Sequence, residues 1–180
     1  VTTVTTDEPG CTAAAAALDQ SSDGGWFAVI AGSHEARLAY PYGRELGMVR
    51  MDDQTRAQAK AAVAGFAADG GTAMGTWLTL ATRVLATVPS AVQRHAILLT
   101  DGINQHETPE QLSAAIEGAR GQFQADCRGV GAAWEVAEVR RIATALMGTV
   151  DLIARPEDMA ADFEGNVAEF IKFMPGVSVD

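Results

Sequence analysis

Arg94-His95-Ala96-Ile97-Leu98-Leu99-Thr100-Asp101-Gly102 carries an apolar run straight into a carboxylate with a glycine immediately behind it. A short continuous apolar run reads as a buried parallel strand, and ligands on open α/β sheets gather beyond the carboxyl ends of such strands. Asp101 is therefore the first candidate site residue. The second lies upstream, where Gly70-Gly71-Thr72 delivers a hydroxyl to the start of a helical segment, Gly75 to Ala86. A carboxylate and a hydroxyl on neighbouring loops at one sheet edge are the oxygen donors that a hard cation takes.

Outward from this stretch, apolar runs and helical patterns alternate. Trp26 to Ala31 reads as a buried strand entered from the turn Ser22-Asp23-Gly24-Gly25, and Ala36 to Tyr40 as a second strand closed by Pro41. The short spacing from Gly32 to Glu35 suits a hairpin, which predicts one antiparallel edge strand. Helices are expected from Asp52-Asp53 to Phe66, from Gly75 to Ala86, from Pro109 (after Thr108) to Ala119, from Glu135 to Met147 and from Pro156 to Phe173. Strands are expected at Ala96–Leu99, Ala125–Val130 and Thr149–Ile153. This order predicts a three-layer, Rossmann-like α/β fold: a mainly parallel sheet, right-handed crossovers and helices on both faces. Residues 1–175 are expected to form one domain with an incomplete first strand, and 176–180 to begin a following segment of a larger multidomain chain.

The 180 residues, 48% hydrophobic and 20% charged, suit one globular domain with a full core. No apolar run reaches the roughly 18 residues that cross a bilayer, and no basic start or apolar signal core opens the chain. A soluble, cytoplasmic protein is expected. The net charge of −10 repels phosphate backbones, and the one adjacent basic pair, Arg140-Arg141, stands beside Glu135 and Glu138. Neither nucleic acid nor a membrane is an expected partner. Cys11 and Cys127 lack metal-type spacing and read as two thiols of a reducing compartment.

Gly70-Gly71-Thr72, Ile97-Leu98-Leu99-Thr100-Asp101-Gly102 and Gly129-Val130-Gly131 together resemble a von Willebrand factor type A domain, and more narrowly its bacterial cytosolic examples, over Trp26 to Phe173. The resemblance implies a non-enzymatic interaction module with a metal-ion-dependent adhesion site. In that family the site combines an Asp-x-Ser-x-Ser motif after the first strand, a threonine on a second loop and an aspartate on a third. Thr72 matches the threonine and Asp101 the aspartate; Mg2+ or Mn2+ is the implied ion, and an acidic side chain of a protein partner its sixth ligand. No Asp-x-Ser-x-Ser occurs in this chain. Either part of the first strand and its loop is missing, or the motif has degenerated, with Thr3 and Thr5 as remaining hydroxyls and Val1 in place of the carboxylate.

Each candidate also has a plainer reading. Thr72 could cap the following helix, and Asp101 could organise an Asx-turn. Asn104, Gln105, His106 and Glu107 follow Asp101 and are expected to line the same rim, as a solvated loop or as the surface that reads a protein partner. His34 and His95 are assigned no metal role, and Trp77 and Trp134 read as packing aromatics. A dinucleotide-binding unit is suggested by Gly129-Val130-Gly131 with Asp151 about twenty residues on, but Trp134 falls where the third glycine belongs. A phosphotransfer or hydrolytic enzyme using Asp101 would need a nearby lysine; Lys60 and Lys172, the two lysines of the chain, both fall in helical segments. The expected function is docking of a protein partner at the loop face that carries Thr72, Asp101 and residues 104–107.

Overall fold

A computed structural model describes residues 2–5, 8–66, 71–90, 92–100, 103–130 and 136–153. Along the chain they form β1 (Thr2–Thr5), α1 (Glu8–Gln20), β2 (Trp26–Phe27), β3 (Val29–Gly32), β4 (Ala36–Tyr40), β5 (Val49–Arg50), α2 (Asp53–Ala64), α3 (Met74–Leu85), β6 (His95–Thr100), α4 (Pro109–Ala119), β7 (Gln124–Val130), α5 (Val136–Ala145) and β8 (Val150–Ile153). Six strands make one sheet in the order β4-β3-β1-β6-β7-β8. All of its pairs are parallel except β3/β4, the expected antiparallel edge.

Successive side chains of a strand point to opposite faces, so a two-sided core needs apolar residues at every position. β6 shows this directly. Leu98 enters one cluster with Trp77, Leu78, Leu112, Ile116 and Ile142, whereas Leu99 enters another with Leu18, Ala59 and Val63. Helices α3, α4 and α5 thus cover one face of the sheet, and α1 and α2 the other.

The structure corrects one expectation about the strands. Trp26–Ala31 is not one strand: β2 turns away to pair antiparallel with β5, and only β3 joins the main sheet. A first strand does form from the first residues: Thr2–Thr5 lies at the centre of the sheet between β3 and β6. It leads into α1, a helix of 13 residues from Glu8. Trp134, the helix expected from Pro156 and the segment from 176 onward lie outside the described residues, so the 1–175 domain boundary does too. Among the described residues no helix is long and apolar enough to cross a membrane.

At the amino ends of the strands, one polar cluster ties three of them together. The Asp126 carboxylate meets the His95 ring (Nε2 to Oδ2, 2.8 Å) and accepts from the Thr149 backbone N–H (2.7 Å) and hydroxyl (3.0 Å). Burial pushes the Asp126 carboxyl up, but these hydrogen bonds and the imidazole outweigh it and bring the pKa down to about 2, against an ordinary 3.8. A carboxyl lowered in the folded state contributes stability that is complete above the unfolded value and is lost as pH falls through the folded one. Acid titration followed by circular dichroism is therefore expected to show stability falling between about pH 4 and pH 2. Asp126→Asn should remove about 2 kcal/mol of this dependence.

Candidate functional site

The site is built where three loops meet beyond the carboxyl ends of the strands. The β3–β4 hairpin turns tightly, with Ser33 N–H donating to the Glu35 carbonyl (2.8 Å). The Ser33 carbonyl accepts from the Ala73 N–H (3.1 Å) and from Trp77 Nε1 (2.7 Å), so this turn is fastened to the start of α3. Gly32 makes that possible: a Cβ there would lie 2.5 Å from Cε2 of the buried Trp77 ring.

The second and third loops run side by side. Thr72 bridges Asn104 in parallel sense, and the Thr72 carbonyl accepts from the N–H groups of Gln105 (3.1 Å) and His106 (3.2 Å). The loop that follows β6 is thereby laid along the loop that precedes α3. Gly71 permits the close approach, since a Cβ on it would overlap the His106 ring.

A helix start leaves its first N–H groups without partners, and Ser, Thr, Asp or Asn at the cap position commonly supplies an acceptor. In α3 the cap position is Ala73, which has no side chain to offer. The acceptors come from the third loop instead. Asn104 Oδ1 takes the Met74 N–H (3.1 Å), and both Glu107 carboxylate oxygens take the Gly75 N–H (2.8 and 3.0 Å). Asn104 Nδ2 in turn donates to Glu107 Oε1 (2.7 Å), closing the network. Gly75 leaves room for the carboxylate, because a Cβ there would press on Glu107 Oε2. A negative charge at this end of α3 also opposes the helix dipole favourably.

Each sequence candidate therefore has a place. Thr72 is half-buried and acts through its carbonyl, and the capping role open to its hydroxyl falls to Asn104 and Glu107. The side chains of Asn104 and Glu107 turn inward onto α3, while Gln105 and His106 are exposed at the rim. Asp101, Gly70 and Gly102 lie outside the described residues. Thr72 nevertheless pairs with Asn104, three positions past Asp101 in the chain. Ser33 was not among the sequence candidates; a hairpin turn between two strands was the only signal at that position.

The oxygen set expected of a hard-cation site is incomplete. Val1 stands ahead of β1, and Thr3 and Thr5 belong to β1 itself, so they are not the remnants of a loop motif. The junction from β1 into α1 reads Thr6-Asp7-Glu8-Pro9-Gly10-Cys11. Set on the Asp-x-Ser-x-Ser spacing, Asp7 supplies a carboxylate, but Pro9 and Cys11 stand where the two hydroxyls would be. Magnesium takes six oxygens in near-octahedral geometry, and proline and cysteine provide none. Among the described residues, no group of three or more His, Cys, Asp or Glu stands where it could hold one ion.

Residues 28–152 match the family described as von Willebrand factor type A domain. The fold is similar to that of the "von Willebrand factor type A from Catenulispora acidiphila", with 45% identity and a TM-score of 0.84 over 93% of this chain. The match covers 41% of that protein, so this chain spans well under half of its length. Two more distant structures share the fold alone. They are proximal thread matrix protein 1 from the mussel byssus "with zinc occupied MIDAS motif" (21% identity, TM-score 0.69, 94% of this chain and 44% of that one), and the pilus adhesin SpaC from Lactobacillus rhamnosus GG (10% identity, TM-score 0.69, 95% and 30%). No curated protein matches the sequence.

Proposed function

The chain belongs to the von Willebrand factor type A domain family, and we propose that it is a non-enzymatic module that docks a protein partner at the loop face formed by residues 33–36, 71–73 and 103–107. Domains of this family generally mediate protein interactions. The observation that carries the reading is the mutual fastening of the three loops: the Thr72 carbonyl, the Ser33 carbonyl, Asn104 and Glu107 hold them in one arrangement before any partner arrives. A preformed face loses little conformational entropy on binding. Gln105 and His106, with His34, Glu35 and Ile103, are exposed on it and placed to read a partner.

A Mg2+ or Mn2+ ion shared with an acidic side chain of the partner would draw on Thr72 and Asp101. With Pro9 and Cys11 in the hydroxyl positions, the chain offers such an ion too few oxygens for a tight shell. Docking is thus assigned to direct contacts of the rim. The enzyme reading with Asp101 calls for a nearby lysine; Lys60 is engaged with Asp19 on α1, and Lys172 lies outside the described residues.

A photo-crosslinking amino acid placed at Gln105, compared with one at Gln122 on the opposite edge, tests the proposal in extract of the source organism. A discrete protein adduct from position 105 and none from position 122 is expected. Equal labelling from both, or none from 105, would contradict it.

A further inference from the structure

Three histidines occur in the 180 residues, and two of them, 72 positions apart in sequence, come together at the loop face. The rings of His34 and His106 have their centres 6.2 Å apart and are tilted by 47°. Both side chains are exposed. From this pair we infer that the chain binds one transition-metal ion of the zinc, nickel or copper type between His34 and His106, with imidazole nitrogens and not hydroxyl or carboxylate oxygens as its protein ligands.

The spacing fits the chemistry. A metal lies about 2.0–2.1 Å from an imidazole nitrogen, and the ring centre is roughly 1.2 Å further away, so two rings sharing an ion keep their centres within about 6.5 Å. Imidazole nitrogen suits Zn2+, Ni2+ and Cu2+, whereas Mg2+ prefers oxygen.

Both ligands are also held from behind. His34 sits at the tip of a three-residue turn closed by the Ser33 N–H to the Glu35 carbonyl and by the Glu35 N–H to Ser33 Oγ (3.4 Å). His106 donates its backbone N–H to the Thr72 carbonyl, and its ring lies over Gly71, where no Cβ intervenes. The turning of the two rings onto one ion is assigned to side-chain rotation on loops that stay in place. Glu35 and Glu107 follow the two histidines in sequence and, with Arg83, share with His106 the lining of a cleft of about 840 Å³ between α3 and α4, where the two carboxylates outnumber the one guanidinium. Two protein ligands leave the remaining positions to water, or to a donor from a docked partner. The inference stands without the docking reading, since it concerns the isolated chain.

Titration of the tag-free chain with Zn2+, followed by calorimetry and by the histidine ring-proton NMR signals, tests it. One ion per chain is expected, shifting the ring signals of His34 and His106 and leaving that of His95 in place. His34→Gln and His106→Gln should each weaken the binding by about tenfold or more, and excess Mg2+ should not displace the zinc. The inference is overturned if neither or only one of the two ring signals responds, if either variant binds as the parent does, or if Mg2+ competes. The ring signals of the parent chain decide the matter even if a variant folds poorly.

Discussion

Trp77→Ala is expected to destabilise the domain by about 3–5 kcal/mol, the range for emptying a buried tryptophan site. The side chain is fully buried and is the largest of the fully buried side chains among the described residues. It has two attachments whose loss adds together: the apolar contacts within the cluster shared by α3, α4 and α5, and the Nε1 hydrogen bond to the Ser33 carbonyl. Truncation would leave a cavity beneath β3 and take one of the two donors from the Ser33 carbonyl, which keeps the Ala73 N–H. Urea denaturation should read the loss directly. Trp77→Phe separates the two parts, because it refills much of the volume and removes the donor alone. Gly32→Ala should mimic part of the effect from the other side, at about 1–3 kcal/mol, by pressing a methyl into the same ring.

Glu107→Ala is the second large effect. The carboxylate accepts from the Gly75 N–H with both oxygens and from Asn104 Nδ2, so its removal strands two donors at the start of α3. Hydrogen bonds to a charged group contribute about 1.5–3 kcal/mol, and a loss of about 2–3 kcal/mol is expected in urea denaturation. Glu107→Gln, which keeps one acceptor, should cost about half as much. The same substitution should loosen the loop face: amide exchange at Met74, Gly75 and Gln105 is expected to quicken well beyond the global change. Exchange that rises only in step with global stability would show that the network does not hold the loops.

Much of this architecture is legible in the sequence, and what is not has a physical reason. α4 announces itself because Thr108, Pro109 and Gln111 form a local capping box, and α2 does so through Asp52 and Thr55. β6 is equally plain, since a strand buried on both faces must be apolar throughout. The break after Phe27 is not written locally. Trp26-Phe27-Ala28-Val29 is one apolar run, and the division appears only when β5, a two-residue strand some twenty residues later, pairs with its first half. The first strand has the opposite character: Thr2–Thr5 is mostly hydroxyl-bearing, and it owes its central position to pairing with β3 and β6.

The candidate site shows the same boundary between local and distant information. Thr72 and residues 104–107 are found from the position of glycines and strand ends, because loops at the carboxyl edge of a parallel sheet converge by topology. The division of labour among them is not readable in that way. Nothing around Ala73 signals that its missing cap is supplied from about thirty residues downstream by Asn104 and Glu107. Nor does the isolated His34 show that it will face His106 until the hairpin and the loop after β6 are placed together.

The central claim is that residues 33–36, 71–73 and 103–107 act as one preformed docking face. Hydrogen exchange of the chain with and without the protein recovered through position 105 measures this most directly. Slowed exchange confined to those three segments, with residues 120–124 at the opposite edge unchanged, is the predicted result. Slowing at 120–124 while the three loops exchange as in the free chain would contradict the account.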